Sequence, residues 1–70
     1  MMPKSYQYTV LFYRDGVWGS TELTRSVRFA LKMMEQIKEQ FERGLVDSIK
    51  LARRERNSDN QEWETLIYFG

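Results

Sequence analysis

A chain of 70 residues holds one small domain, whose limited core gives it modest stability. Apolar residues make up 41% of the chain, which excludes a disordered tail, and a formal net charge of +1 excludes strong overall attraction to nucleic acid or anionic lipid. The absence of cysteine and histidine excludes disulfides, thiolate metal sites and catalysis of the Ser-His or Cys-His kind.

The first elements predict a hairpin. Residues 5–13 read SYQYTVLFY, an aromatic and β-branched run that is typical of a partly buried strand. Asp15 and Gly16 indicate a tight turn, because both residue types tolerate a positive φ. A short second strand is therefore expected from Val17 to about Ser20.

A helix is predicted from about residue 25 to residue 43. Apolar residues recur at helical spacing on one stripe, which contains Val27, Ala30, Leu31, Met34, Ile37 and Phe41. Thr24 is the predicted N-cap, since its hydroxyl can accept an amide proton of the first turn. Gly44 is the predicted left-handed residue that ends the helix.

The last third of the chain predicts a second hairpin. Within residues 45–56, Ile49 and Leu51 alternate with polar or small residues, as in a half-buried strand. The polar residues 57–60 predict a turn, and residues 61–69, QEWETLIYF, predict the closing strand. The expected fold is α+β, in the order β-β-α-β-β, with the amphipathic helix packed on one face of a small antiparallel sheet.

The sequence predicts a non-enzymatic protein without a cofactor or a metal. The serines lie in no nucleophile motif, and the four glycines form no phosphate-binding loop. Glu62 and Glu64 share one face of the last predicted strand, but a solvated pair facing the arginines across the hairpin is favoured over a catalytic pair. Residues 57–62 lack the ligand spacing and central glycine of a calcium loop.

The sequence also predicts a cytoplasmic protein. No apolar run approaches the roughly 18 residues that a membrane span needs. Residues 1–4 lead directly into the first predicted strand, without a visible secretion signal.

Charge is segregated along the predicted helix. Its first half contains Arg25, Arg28 and Lys32, and its second half contains Glu35, Glu39 and Glu42. This order opposes the helix dipole, so binding to a partner would explain it. Pairing of the arginines with Glu22 or a strand carboxylate would explain it without a partner. Phe29 lies off the core stripe. It is interpreted either as an anchor for contact with a partner or as an ordinary exposed residue.

The sheet face away from the helix is a predicted binding surface. Lys50, Ala52, Arg54 and Arg56 alternate onto the side opposite the apolar residues of their strand. Aromatic residues available to this face are Tyr6, Tyr8, Tyr13, Trp63 and Tyr68. One helix covers one face only, so this surface indicates either a macromolecular partner or a back-to-back homodimer.

Single-stranded nucleic acid is the alternative partner, because bases stack on rings while cations contact phosphates. Three features argue against it. The net charge is near neutral, Asp59, Glu62 and Glu64 lie on or near the neighbouring strand, and the chain has no RNP-like aromatic-glycine motif.

The order and size of the predicted elements resemble small phage-encoded proteins that block host machinery, such as anti-CRISPR proteins and phage inhibitors of host RNA polymerase. The resemblance covers most of the chain and rests on element order alone. It implies a protein that docks on a host nucleoprotein complex and blocks it sterically. The residues predicted to bind the partner are Arg25, Arg28 and Phe29 at the helix start, with Lys50, Arg53, Arg54, Arg56 and Trp63 on the last hairpin.

Overall fold

The computed structural model describes residues 5–56, 59 and 62–70. Its elements are β1 (Tyr6–Arg14), β2 (Val17–Ser20), α1 (Val27–Glu42), β3 (Ser48–Glu55) and β4 (Glu64–Phe69). The predicted α+β class and β-β-α-β-β order are confirmed. Apart from Asp59, the predicted turn at residues 57–60 lies outside the described residues.

The four strands form one antiparallel sheet in the order β2-β1-β3-β4. The β1–β2 connection is the predicted tight turn, in which Asp15 and Gly16 both have positive φ, 51° and 81°. Strand β1 then pairs with β3 from Tyr6 opposite Glu55 to Tyr13 opposite Ser48. This long central pairing fixes which side chains face α1 and which face away.

The helix begins two residues later than predicted, and the prediction of Thr24 as its N-cap is wrong. Ser26 is the N-cap, and its Oγ accepts a hydrogen bond from the amide of Phe29 at 3.1 Å. The backbone of Thr24 instead forms a bridge to Tyr8 of β1. That bridge holds Thr24 in an extended conformation, so the first helical turn cannot start there.

The helix ends as predicted. Gly44 has a φ of 78°, its amide donates to the carbonyl of Phe41, and the amide of Leu45 donates to the carbonyl of Gln40. These two bonds form a Schellman motif, which satisfies carbonyl groups that would otherwise lack partners at the helix end.

The core lies between α1 and the β1–β3 pair. Its buried members are Val10, Ala30, Met34, Val46, Ile49 and Leu51. The predicted stripe is correct for Ala30 and Met34, with Ile37 partly buried, but Val27 and Leu31 are 42% and 41% exposed. The helix backbone lies over β1 and β3, and Phe41 reaches β4, where its ring centre is 6.4 Å from that of Phe69, whereas Leu31 is left largely uncovered.

Candidate binding surface

The face of the sheet away from α1 is called the open face here. Its strand positions alternate with the core positions and are Gln7, Thr9, Leu11 and Tyr13 of β1, Trp18 and Ser20 of β2, Ser48, Lys50, Ala52 and Arg54 of β3, and Thr65 and Tyr68 of β4. No carboxylate occupies any of these positions in the described strands. The charged residues at these positions, Lys50 and Arg54, are therefore both cationic.

Two cations of β3 lie over tryptophan rings on this face. The Lys50 ammonium is 4.9 Å from the centre of the Trp18 ring, and the Arg54 guanidinium is 4.6 Å from the centre of the Trp63 ring. Tyr13 also contacts Trp18, with ring centres 5.1 Å apart. These contacts orient the rings before any partner binds.

The aromatic side chains of the open face remain accessible to a partner although contacts within the protein fix their orientation. Trp18 is 50% exposed, Trp63 36% and Tyr68 60%. Trp18 lies on the β2 edge of the sheet, while Trp63 and Tyr68 lie on or beside β4 at the other edge. The open face thus carries exposed rings on both sides of a central row of cations.

A β-bulge brings Trp63 to this face. Leu51 pairs with Ile67 but its neighbour Ala52 pairs with Thr65, so β4 contains one extra residue at Leu66. Without the bulge, simple alternation would place Trp63 on the same side of the sheet as Ile67, which is the helix side. Sequence alternation alone therefore gives the wrong side for this ring.

The cations of the open face are not neutralised by described residues. Ion pairs among the described residues join Arg14 to Asp15 and Arg53 to Glu64. Arg54 instead donates to the neutral Gln7 amide oxygen at 3.2 Å, and Arg56, just after β3, donates to the Ser5 hydroxyl at 3.4 Å. Neutral acceptors orient these side chains while leaving their charge available to a partner.

Arg53 is separated from the other basic residues of β3. It faces the helix side of the sheet, where its Nε donates to Glu64 Oε2 at 2.9 Å and its guanidinium lies 4.3 Å from the centre of the Tyr6 ring. The hydrogen bond to Glu64 raises the pKa of Arg53. The predicted pairing of Glu64 with an arginine across the hairpin is confirmed, whereas Glu62 precedes β4.

The residues predicted at the helix start form a different surface. Arg25 precedes the Ser26 N-cap, Arg28 lies in the first turn, and Phe29 is 49% exposed. No ion pair joins either arginine to Glu22 or to another described carboxylate. These residues belong to the helix layer, so one flat partner surface cannot contact them together with the open face.

Trp18 was missed by sequence reasoning, although a signal for it exists. A two-residue Asp15-Gly16 turn places Arg14 opposite Val17, and therefore Tyr13 opposite Trp18 on the same face. Its contact with Lys50 needs in addition the strand order, because the lysine reaches across β1 from β3.

Metal ligation and membrane crossing have no support within residues 5–56, 59 and 62–70. No group of three carboxylates there is close enough to hold a metal ion. The one helix of this part of the chain is neither long nor apolar enough to cross a bilayer. No family model, curated protein or solved structure matches the chain.

Proposed function

We propose that this protein is a non-enzymatic binding module that docks on a nucleoprotein complex through the open face. The observation that carries the proposal is the set of exposed rings and cations on a sheet face whose strand positions contain no carboxylate. Tryptophan, tyrosine and arginine are the residues that most often dominate binding free energy at interfaces. A positive surface also steers encounter with a negatively charged partner.

The side chains of the open face are already held in fixed orientations in the free protein, which favours a tight complex. Arg54 is held between Gln7 and Trp63, and Trp18 is held between Lys50 and Tyr13. Side chains that are already oriented lose less conformational entropy when a partner binds. The regular sheet beneath them keeps their spacing fixed.

In its concrete form, the proposal is that the protein inhibits its target by occlusion. A domain of 70 residues that covers a nucleic-acid-binding or regulatory groove blocks access without any chemistry of its own. This mode of action is the one expected from the resemblance to small phage-encoded inhibitors with this element order. The separate surface at Arg25, Arg28 and Phe29 would then contact a second component of the complex or remain free.

The test is affinity capture of the tagged protein from bacterial lysates, with and without nuclease treatment, using two charge-reversed variants. Lys50→Glu with Arg54→Glu alters the open face, and Arg25→Glu with Arg28→Glu gives the same change in net charge on the helix layer. We expect a stoichiometric complex with the parent and with the helix-layer variant, and its loss with the open-face variant. Far-UV circular dichroism confirms that both variants fold.

Two outcomes would contradict the proposal. Retention of the complex by the open-face variant would show that another surface docks. Equal loss from both variants would show that net charge, and not the open face, governs the interaction.

A further inference from the structure

We infer that the open face binds single-stranded nucleic acid directly. In the proposed nucleoprotein complex, the nucleic acid is then the component that the open face contacts. The inference rests on the proposed function and names the chemistry of the partner at the same surface. It follows from the placement of cations, rings and carboxylates on the two sides of the sheet.

The cations lie in a row that suits a phosphate backbone. Lys50 and Arg54 lie on the open side of β3, about 13.6 Å apart, and Arg56 follows just after the strand, about 6.8 Å beyond Arg54 at the spacing of extended chain. Lys50 and Arg54 are separated by Ala52, which adds no charge between them and is buried beneath its neighbours. The three cations thus form a positive track along β3.

The exposed rings lie where bases would extend from such a track. Trp18 is on the β2 side, and Trp63 and Tyr68 are on the β4 side. Bases stack on aromatic side chains in most proteins that bind single strands, and this stacking tolerates any sequence. Arg54 and Lys50 link base stacking to phosphate binding. Each lies over an aromatic ring, and neither forms an ion pair with a described carboxylate.

Glu64, one of the acidic residues that argued against nucleic acid, does not face this track. Glu64 points to the helix side and pairs with Arg53, and Glu55 faces the same side as its partner Tyr6. The acidic second half of α1 lies on the opposite layer. The charged strand positions of the open face, Lys50 and Arg54, are thus both cationic, although the net charge of the chain is only +1.

A duplex does not fit the same surface. The major groove is about 12 Å wide and admits a helix or a two-stranded ribbon, whereas this face is a four-stranded sheet. Paired bases are also stacked on one another and cannot reach rings on a flat surface. Unpaired bases can.

The experiment measures the fluorescence anisotropy of labelled oligonucleotides of about 12 residues, oligo(dT), oligo(U) and a mixed-sequence duplex, over a salt series. Three phosphate contacts predict that log K falls with log salt with a slope of about −2, which is about a 20-fold loss between 50 and 200 mM. Single strands should bind, and the duplex should bind much more weakly.

Neighbouring arginines on opposite faces give a matched pair of variants. Arg54→Ala should weaken binding and reduce the slope by about 0.7, the contribution of one phosphate contact. Arg53→Ala, on the helix side, should leave affinity and slope unchanged. Trp18→Ala should weaken binding about tenfold with the slope intact, because stacking releases no counterions.

The outcomes separate the inference from the proposed function. Equal losses for Arg53→Ala and Arg54→Ala, or equal binding of duplex and single strands, would overturn the inference. Absence of oligonucleotide binding by the folded parent would also overturn it. If the captured complex still depended on the open face in that case, the proposed function would stand with a protein surface as the partner.

Discussion

Replacing Ile49 by alanine should remove a large part of the stability of the protein. Ile49 is fully buried at the centre of the core, on β3 between its cross-strand neighbours Phe12 and Phe69. The substitution deletes three carbon atoms, each worth about 0.8 kcal/mol on transfer, and leaves a cavity. We expect a loss of about 3 kcal/mol, within the range of about 2 to 5 kcal/mol for such truncations.

This loss is large for so short a chain. A stability of about 0.05 to 0.15 kcal/mol per residue gives a 70-residue domain about 3.5 to 10.5 kcal/mol in all. The assay is urea denaturation followed by far-UV circular dichroism at 25 °C. Ile49→Val, which deletes one methylene, should lose about 0.5 to 1.5 kcal/mol and give the intermediate point of the series.

Leu66→Ala is the matched control, because it also deletes three carbon atoms. Leu66 is 38% exposed at the bulge of β4, so less apolar surface returns to water and little cavity forms. We expect a loss below about 1.5 kcal/mol. Equal losses for Ile49→Ala and Leu66→Ala would refute the placement of the core between α1, β1 and β3.

Three further changes test the two ends of the helix and one close contact between β1 and β2, by the same denaturation assay. Gly44→Ala should destabilise by about 1 to 2 kcal/mol through backbone strain alone, because φ is 78° and no atom lies within 4 Å of the added Cβ. Ser26→Ala should cost about 1 kcal/mol, and Ser26→Gly only a few tenths, since glycine also tolerates the N-cap position. Gly19→Ala should cost about 1 to 3 kcal/mol, because its Cβ would lie 2.5 Å from the Phe12 ring. Unchanged unfolding midpoints would show that these local contacts carry no stability.

The sites of the candidate binding surface were predicted in part. Alternation along β3 assigns Lys50, Arg54 and Arg56 to the open side without any tertiary information. The same alternation separates Arg53 from Arg54, although both were grouped as partner-binding residues. The position of Trp63 could not be derived, since one extra residue in β4 reverses the side on which it lies.

The sequence by itself determined the features that depend on local chemistry. The positive φ of Asp15 and Gly16, the helix stop at Gly44 and the β-β-α-β-β order follow from turn chemistry and periodicity. These signals act between residues close in the chain, so each can be read within a short window.

Only the tertiary structure decided the features that depend on distant partners. Thr24 does not cap the helix, because its backbone is paired with Tyr8 of β1. Leu31 is exposed because the backbone of α1 lies over β1 and β3 and not over β4. Lys50 meets Trp18 only because β1 lies between their strands. Strand order, register and helix position depend on the total apolar area that the whole chain buries. That area depends on contacts between residues far apart in the sequence, so it cannot be derived from a short segment.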